Sequence, residues 1–380
     1  MCSKRMYEVD PPSFLEIPAS LVEQMLQKTN EIGDILQSSI HDISRKKQKF
    51  RLQLEQIGLL DNDIKFRNIK SLVSGGVDGA YAVDRLLGTD LLFAAAVGVE
   101  GINELENEKR IVPNHDVFVN PERHNAENMI AARAIMIEME IKLAANAQYD
   151  IIYLDGSLTT AAIHMYKAIN FIETLNTRSS DKIKEDFKDF LISYKKILEF
   201  EYTDKYYLGI PKYTSRNDIG KNLHWPENFD DRAILTLILE PGEFTRPKLF
   251  TSEEGWHVRL PYEDEELRIL MQQVISGIKN LSVIYYKPHS WCPALRIEMP
   301  SSIARDETKL NTILANVKNQ CQTPSIMEPF PLYMADRIAK HMAPAIPAYK
   351  QIIMKQMTQL NDNNEKDIFF LMHSYRTEGG

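Results

Sequence analysis

Cysteine is scarce in this sequence: Cys2, Cys292 and Cys321 are the three in 380 residues, and no two share a zinc-type spacing. An odd, sparse set excludes a disulfide scaffold and fits a reducing cytosol, so a cytoplasmic location is expected. Long apolar runs are missing as well. The longest, Leu91 to Val99, is about half of the roughly 20 residues that a membrane helix needs. No apolar segment follows Met1-Cys2-Ser3-Lys4-Arg5 to form a secretory signal. Neither a membrane span nor export is therefore expected. Phosphate-loop chemistry is lacking too: no Gly-Lys-Ser/Thr follows Gly75-Gly76, and G-x-G-x-x-G is unmatched, which disfavours nucleotide hydrolysis by this chain itself. There is no H-E-x-x-H and no G-x-S-x-G nucleophile elbow. His289 and Cys292 are too few soft ligands for zinc. An excess of positive charge is also absent. With 45 basic and 53 acidic residues the net charge is −8. That argues against coating nucleic acid by bulk charge, but leaves room for an enzyme with a local basic groove.

What is present is globular in character. Apolar residues make up 44% and charged residues 26%, so a sizeable core is expected in one large domain with appendages. Residues 1–17 read as an irregular lead-in, with Pro11, Pro12 and Pro18 as breakers. Ser20 and Glu23 form a capping-box pattern that opens a helix. Val22, Met25, Ile32, Leu36, Ile40, Ile43, Phe50 and Leu54 then recur at helical steps and give one long apolar stripe, suited to intradomain packing or to a partner. The same helix carries Arg45, Lys46, Lys47, Lys49 and Arg51.

The period then changes. Strands are predicted over Ile69 to Val77, Tyr81 to Val83, Leu91 to Val99 and Asp116 to Val119, with Gly88-Thr89-Asp90 as a turn. A helix is predicted from Asn125 to Gln148, and Ile151 to Leu154 reads as a strand buried on both faces. Residues 161–200 are helical and charged. Tyr207 to Ile210 and Ala233 to Leu239 read as strands. Glu263 to Glu266 open a helix through Ile278, where their charge suits the positive helix end. Leu281 to Tyr286 and Ala294 to Met299 are strands, Leu332 to His341 and Ala348 to Leu360 helices, and 376–380 a frayed end. Strands joined by a crossover helix to a buried strand make an α/β core.

Two aspartates share a setting. Asp78 and Asp155 each follow an apolar run and precede glycine. In α/β sheets ligands gather beyond the carboxyl ends of strands, and two carboxylates there can hold Mg²⁺ or Mn²⁺. A third acid is expected from the intervening helix. Glu138 and Glu140 both flank its apolar face, and spacing alone does not choose between them. The bland alternative for each Asp-Gly is a turn.

The order of motifs over about 70–345 resembles the NurA family of DNA-end-processing nucleases. Val77-Asp78-Gly79-Ala80 is similar to a V-D-G-S strand end, with Ala80 in place of Ser. Phe93 to Val99 resembles the following small-residue strand, and Glu140 to Ala144 a helix with glutamate ahead of alanine. Leu154-Asp155-Gly156-Ser157-Leu158 matches L-D-G-S-L in full. Gly209 to Lys212 matches G-x-x-K, Asp231 to Leu235 with Pro241-Gly242-Glu243 matches D-x-x-x-L and P-G-E, and Arg296 to Pro300 matches R-x-E-x-P. Glu328 to Asp336 resembles Y-P-x-P-L-x-x-A-H, with Glu328 where Tyr is common and Asp336 where His is common.

The resemblance implies an α/β fold: an RNase H-like mixed sheet flanked by helices, here at 66–380, with a long helical arm at 1–65 serving a dimer or a partner. It implies a metal-dependent deoxyribonuclease supported by Mn²⁺ or Mg²⁺, digesting DNA often from the 5′ end, dimeric, and fed by a HerA-type hexameric ATPase in DNA end processing or phage defence. Carried onto this chain, Asp78, Glu140 and Asp155 hold metal, Lys212 faces the scissile phosphate and Asp336 binds metal or orients water. Ser157, Thr214 and Arg216 are candidate contacts to the DNA backbone, with a structural role as the alternative for each, as a surface salt bridge is for Lys212. The alternative is a NurA-like scaffold that binds motor and DNA without cutting.

Overall fold

In a computed structural model of the chain, the described residues are 17–65, 69, 72–102, 114–172, 177–199, 205–250, 264–360 and 365–374. Apart from Ile17 and Pro18, the expected lead-in lies outside them, as do Cys2, the frayed end at 376–380, Glu263, and residues 70 and 71 of the strand predicted over 69–77. Two compact units are present, Met1–Gln56 and Ile57–Gly380.

Among the described residues, the smaller unit holds the helix α1 (Ala19–Gln56). It starts one residue ahead of the predicted Ser20 cap, because the amides of Leu21 and Val22 donate to the carbonyl of Pro18. Met25, Ile32, Leu36 and Ile40 of its apolar stripe are exposed.

In the larger unit, β1 (Leu60–Asn62) is a short edge strand. Next come β2 (Ser74–Arg85), β3 (Asp90–Glu100) and β4 (Asn114–Glu122), an antiparallel meander with the apolar β3 in the middle. The helix α2 (Asn128–Asn146) crosses over to β5 (Ile151–Asp155), which pairs parallel with β2 from Ser74↔Ile151 to Val77↔Leu154. The helices α3 (Thr160–Ile172) and α4 (Arg178–Leu198) lead to β6 (Tyr206–Ile210), parallel to β5. The order β4-β3-β2-β5-β6 is the RNase H-like mixed sheet that was expected.

A second stretch of chain widens this sheet. It contains α5 (Gly220–Leu223), α6 (Asp231–Ile238), β7 (Glu243–Thr245), β8 (Lys248–Leu249), α7 (Glu265–Lys279), β9 (Leu281–Tyr286) and β10 (Leu295–Pro300). Here β10 pairs antiparallel with β6, and β9, β7 and β1 follow outward. The chain closes with α8 (Ser301–Ala304), α9 (Glu307–Gln320), α10 (Phe330–Lys340), α11 (Met342–Leu360) and α12 (Glu365–Leu371). Residues from β5, β6, β9, β10, α8 and α9, together with Leu332, form one core cluster.

Two predicted strands are corrected. Tyr81 to Val83 is no separate strand, and Asp78 does not end one. Pairing with β3 runs unbroken from Gly75↔Glu100 to Arg85↔Asp90, so β2 continues well past Asp78. Its pairing with β5 stops at Val77, one residue earlier, and that is where the sheet opens. Of Ala233 to Leu239, all but the extended Leu239 are helical. The Asp230 side chain accepts from the amide of Ala233 at 2.7 Å, capping α6. Ile234, Leu235 and Ile238 then share one buried helical face.

One glycine decides where α10 sits. A Cβ at Gly76 would lie 2.5 Å from the backbone of Pro331 and Leu332. Only a bare backbone lets α10 come this close to β2. Pro329 caps α10, and Pro331, Leu332 and Ala335 are its buried face, which leaves Asp336 at the level of Asp78.

Candidate metal centre

Three carboxylates converge where β2 and β5 part. Asp78 follows the last β2–β5 pair, Asp155 is the final residue of β5, and Asp336 comes from α10. One oxygen of each lies within 4.8 Å of the other two. Lys212, two residues past β6, places Nζ 3.0 Å from Asp155, 3.2 Å from Asp336 and 3.3 Å from Glu328. Asp336 also pairs with Lys340 at 2.8 Å.

The electrostatics are those of crowded negative charge. Burial, then the charge of Asp155, pushes the Asp78 carboxyl up to about 8, against an opposing hydrogen bond from the amide of Gly79. Glu328 is raised by burial, with Lys212 pulling the other way. For Lys212, burial favours the neutral amine, but Asp155, Glu328 and Asp336 outweigh it and hold the ammonium firmly charged. Burial works against the charged form of Asp336 as well. The hydrogen bond from Lys340 and the charge of Lys212 overcome that and lower it.

Glu140 stays outside the three-oxygen group. It is buried on α2, and its carboxyl is raised well above the ordinary range by burial first, then by the charges of Asp78 and Asp155. Glu138 turns elsewhere: it pairs with Lys142 at 3.0 Å and senses Asp186 and Lys182 of α4. Of the two glutamates that spacing left open, Glu140 is thus the one electrostatically joined to the centre. Sequence reasoning grouped Asp78, Glu140 and Asp155, whereas the structure groups Asp78, Asp155 and Asp336.

The turn that carries Asp155 is held from beneath. Gly156 adopts φ +97°, a conformation that side chains rarely take. The hydroxyl of Ser157 (2.7 Å) and the amide of Leu158 (2.9 Å) then both donate to Glu298 Oε2. Arg296 Nε donates to Glu298 Oε1 at 2.9 Å, and Arg296 Nη1 donates to the Tyr285 hydroxyl at 2.8 Å. Ser157, a candidate DNA contact, thus serves the turn. Arg216 stacks its guanidinium on Phe250 at 4.6 Å, and Thr214 Oγ1 accepts from the Arg216 amide. The segment bearing Lys212 is anchored in turn. Arg232 donates to the carbonyls of Lys212 and Ala294, and Asp231 accepts the amides of Ile219 and Gly220 at 2.7 Å each.

Sequence reasoning gave Arg296, Glu298, Asp231 and Arg232 no role. One signal was available: Arg296 and Glu298 are two residues apart in an apolar strand, which places both on one face. Two opposite charges on a buried face must pair.

Residues 72–340 match the model of the NurA domain. The chain belongs to the NurA family. Solved NurA structures share its fold. The NurA nuclease from Sulfolobus solfataricus superposes with a TM-score of 0.57 at 15% identity, covering 90% of this chain and 98% of that one. Another NurA gives 0.55 at 13%, covering 90% and 99%. A NurA bound to dAMP and manganese gives 0.50 at 13%, covering 82% and 92%. At such identities the likeness is one of fold. No curated protein matches by sequence. Within the NurA domain, the three-carboxylate group offers only hard oxygen donors, the chemistry that suits Mg²⁺ or Mn²⁺. No helix among the described residues is long and apolar enough to cross a membrane.

Proposed function

We propose that this NurA-family chain is a metal-dependent deoxyribonuclease, with Asp78, Asp155 and Asp336 as metal ligands and Glu140 as the adjoining acid. The observation that carries this is the convergence of three carboxylates and one ammonium at the open edge of an RNase H-like sheet. The residues fit a divalent cation: Asp78, raised by burial and then by the charge of Asp155, lies where a cation supplies the counter-charge that Lys212 gives only in part. A NurA of this fold bound to dAMP and manganese supports the same choice of ion. When bound, Mn²⁺ or Mg²⁺ supplies an activated water and charge neutralisation at the phosphodiester. Lys212, anchored through its carbonyl by Arg232, directs its ammonium to a phosphate oxygen as the leaving oxygen gains charge. The ammonium keeps its proton at working pH.

DNA is the substrate that family membership supports, with digestion from the 5′ end. The chain carries no phosphate loop, so a HerA-type hexameric ATPase as a separate motor fits, and the setting is DNA end processing or phage defence. The exposed stripe Met25, Ile32, Leu36 and Ile40 on α1 suits a homodimer or contact with that motor. The test is cleavage of end-labelled linear DNA with Mn²⁺, with and without a HerA-type ATPase. Wild-type chain is expected to cut only with the ion. Asp155→Asn should lose about a thousand-fold of the rate or more. Undiminished cutting by a folded Asp155→Asn would overturn the proposal, and no cutting by wild type would favour the scaffold alternative.

A further inference from the structure

Lys212 is shared by three carboxylates, and they are not equivalent. Asp155 (3.0 Å) and Asp336 (3.2 Å) belong to the oxygen group that would hold a divalent cation, while Glu328 (3.3 Å) does not. A dication among these carboxylates repels an ammonium at contact distance, strongly so in a partly buried site. An arriving ion therefore loosens the hold of Lys212 on Asp155 and Asp336. Glu328 is the carboxylate left to it. It immediately precedes Pro329, the cap of α10, and its Oε2 is buried, with Lys212 as counter-charge. The two positions where the chain departs from the Y-P-x-P-L-x-x-A-H pattern, Glu328 and Asp336, are also two of the three partners of this one lysine.

We propose that Glu328 is a positioning residue that retains Lys212 when a divalent cation occupies the centre, so that the ammonium stays beside the phosphate instead of contesting the metal ligands. The inference rests on the metal-centre assignment above and adds a role for Glu328. Without Glu328, Lys212 falls back on Asp155 and Asp336 and competes with the ion. Without Lys212, Glu328 has nothing to retain.

The test is calorimetric titration of Mn²⁺ into the chelator-treated full chain, without DNA, with thermal unfolding to show that each variant is folded. Glu328→Gln is expected to weaken Mn²⁺ binding about five-fold, and Lys212→Gln to tighten it by about ten-fold. In the Lys212→Gln background, adding Glu328→Gln should change affinity by less than about two-fold. Glu328→Asp keeps the charge and should return affinity to within about two-fold of wild type. Equal weakening by Glu328→Gln in both backgrounds would show that the glutamate acts directly on the cation and would overturn the proposal. So would wild-type affinity in the single variant. If wild type shows no Mn²⁺ binding that Asp155→Asn removes, the metal-centre assignment itself fails, a distinct result.

Discussion

Two groups of charge are built on one sheet, at β10 and where β2, β5 and α10 meet, on opposite principles. Arg296 and Glu298 of β10 are matched: both Glu298 oxygens accept from named donors, Arg296 also serves Tyr285, and the two side chains are 1% exposed. The Asp78, Asp155 and Asp336 group at β2 and β5 is unmatched. Lys212 and Lys340 answer part of its charge, and the Asp78 carboxyl is still pushed up to about 8. A matched pair holds a turn in place. An unmatched group stores an affinity for a cation. Removing charge from the two should therefore act in opposite senses.

The largest expected effect is on cleavage. Asp78→Asn should lose about a thousand-fold of the rate or more, while the metal-free protein becomes no less stable, since burial and then Asp155 disfavour the charged form of the carboxyl that is removed. Glu298→Ala should do the reverse to stability. It takes away the carboxylate 2.9 Å from buried Arg296 and leaves it the Tyr285 hydroxyl and a distant Asp218 at 3.9 Å, which costs about 3–5 kcal/mol, read as a fall in the denaturant midpoint. Glu298→Gln keeps an acceptor for the turn and should cost less. A smaller effect comes from the ion. Mn²⁺ at a hundred times its Kd should stabilise wild type by about 2.7 kcal/mol and leave Asp78→Asn and Asp155→Asn unchanged, as thermal unfolding would show. If Glu298→Ala were harmless and Asp78→Asn unfolded the metal-free chain, the contrast would be the wrong way round.

The smallest effect concerns a half-exposed histidine on a buried aspartate. His124 lies 2.7 Å from Asp90, and this hydrogen bond, with one to the Leu87 carbonyl, raises the imidazole above 6.5. A group raised in the folded state contributes fully below its unfolded value and loses its contribution as pH climbs through the folded one. Stability from this pair should thus be complete below the unfolded value and fall away as pH climbs through the raised folded one, with the slope absent in His124→Ala. A proton NMR titration of the imidazole checks the direction.

How much was legible in the sequence follows from what each residue depends on. Asp155 depends on local signals, an apolar run that stops at Asp-Gly, and it was found with its strand. Asp78 was found but placed at a strand end, because β2 has two partners and only one of them, β5, stops there. That difference lies in pairing between distant segments, which no local pattern records. Asp336 depends on α10 crossing β2 at Gly76, so only the motif resemblance singled it out. The choice of Glu140 over Glu138 needed the sheet in place, because Glu138 pairs with Lys142 of its own helix while Glu140 senses Asp78 and Asp155. The run Ala233 to Leu239 read as a strand from its branched apolar residues, and the cap from Asp230 decided for a helix.

The central claim is that Asp78, Asp155 and Asp336 together form a divalent-cation site. Crystals of the full chain soaked in Mn²⁺ and measured for anomalous scattering test it most directly. The account expects a manganese peak bounded by oxygens of these three residues, with Lys212 drawn off Asp155 and Asp336. A manganese-free site, with Lys212 still bridging Asp155 and Asp336 at saturating ion, would contradict it.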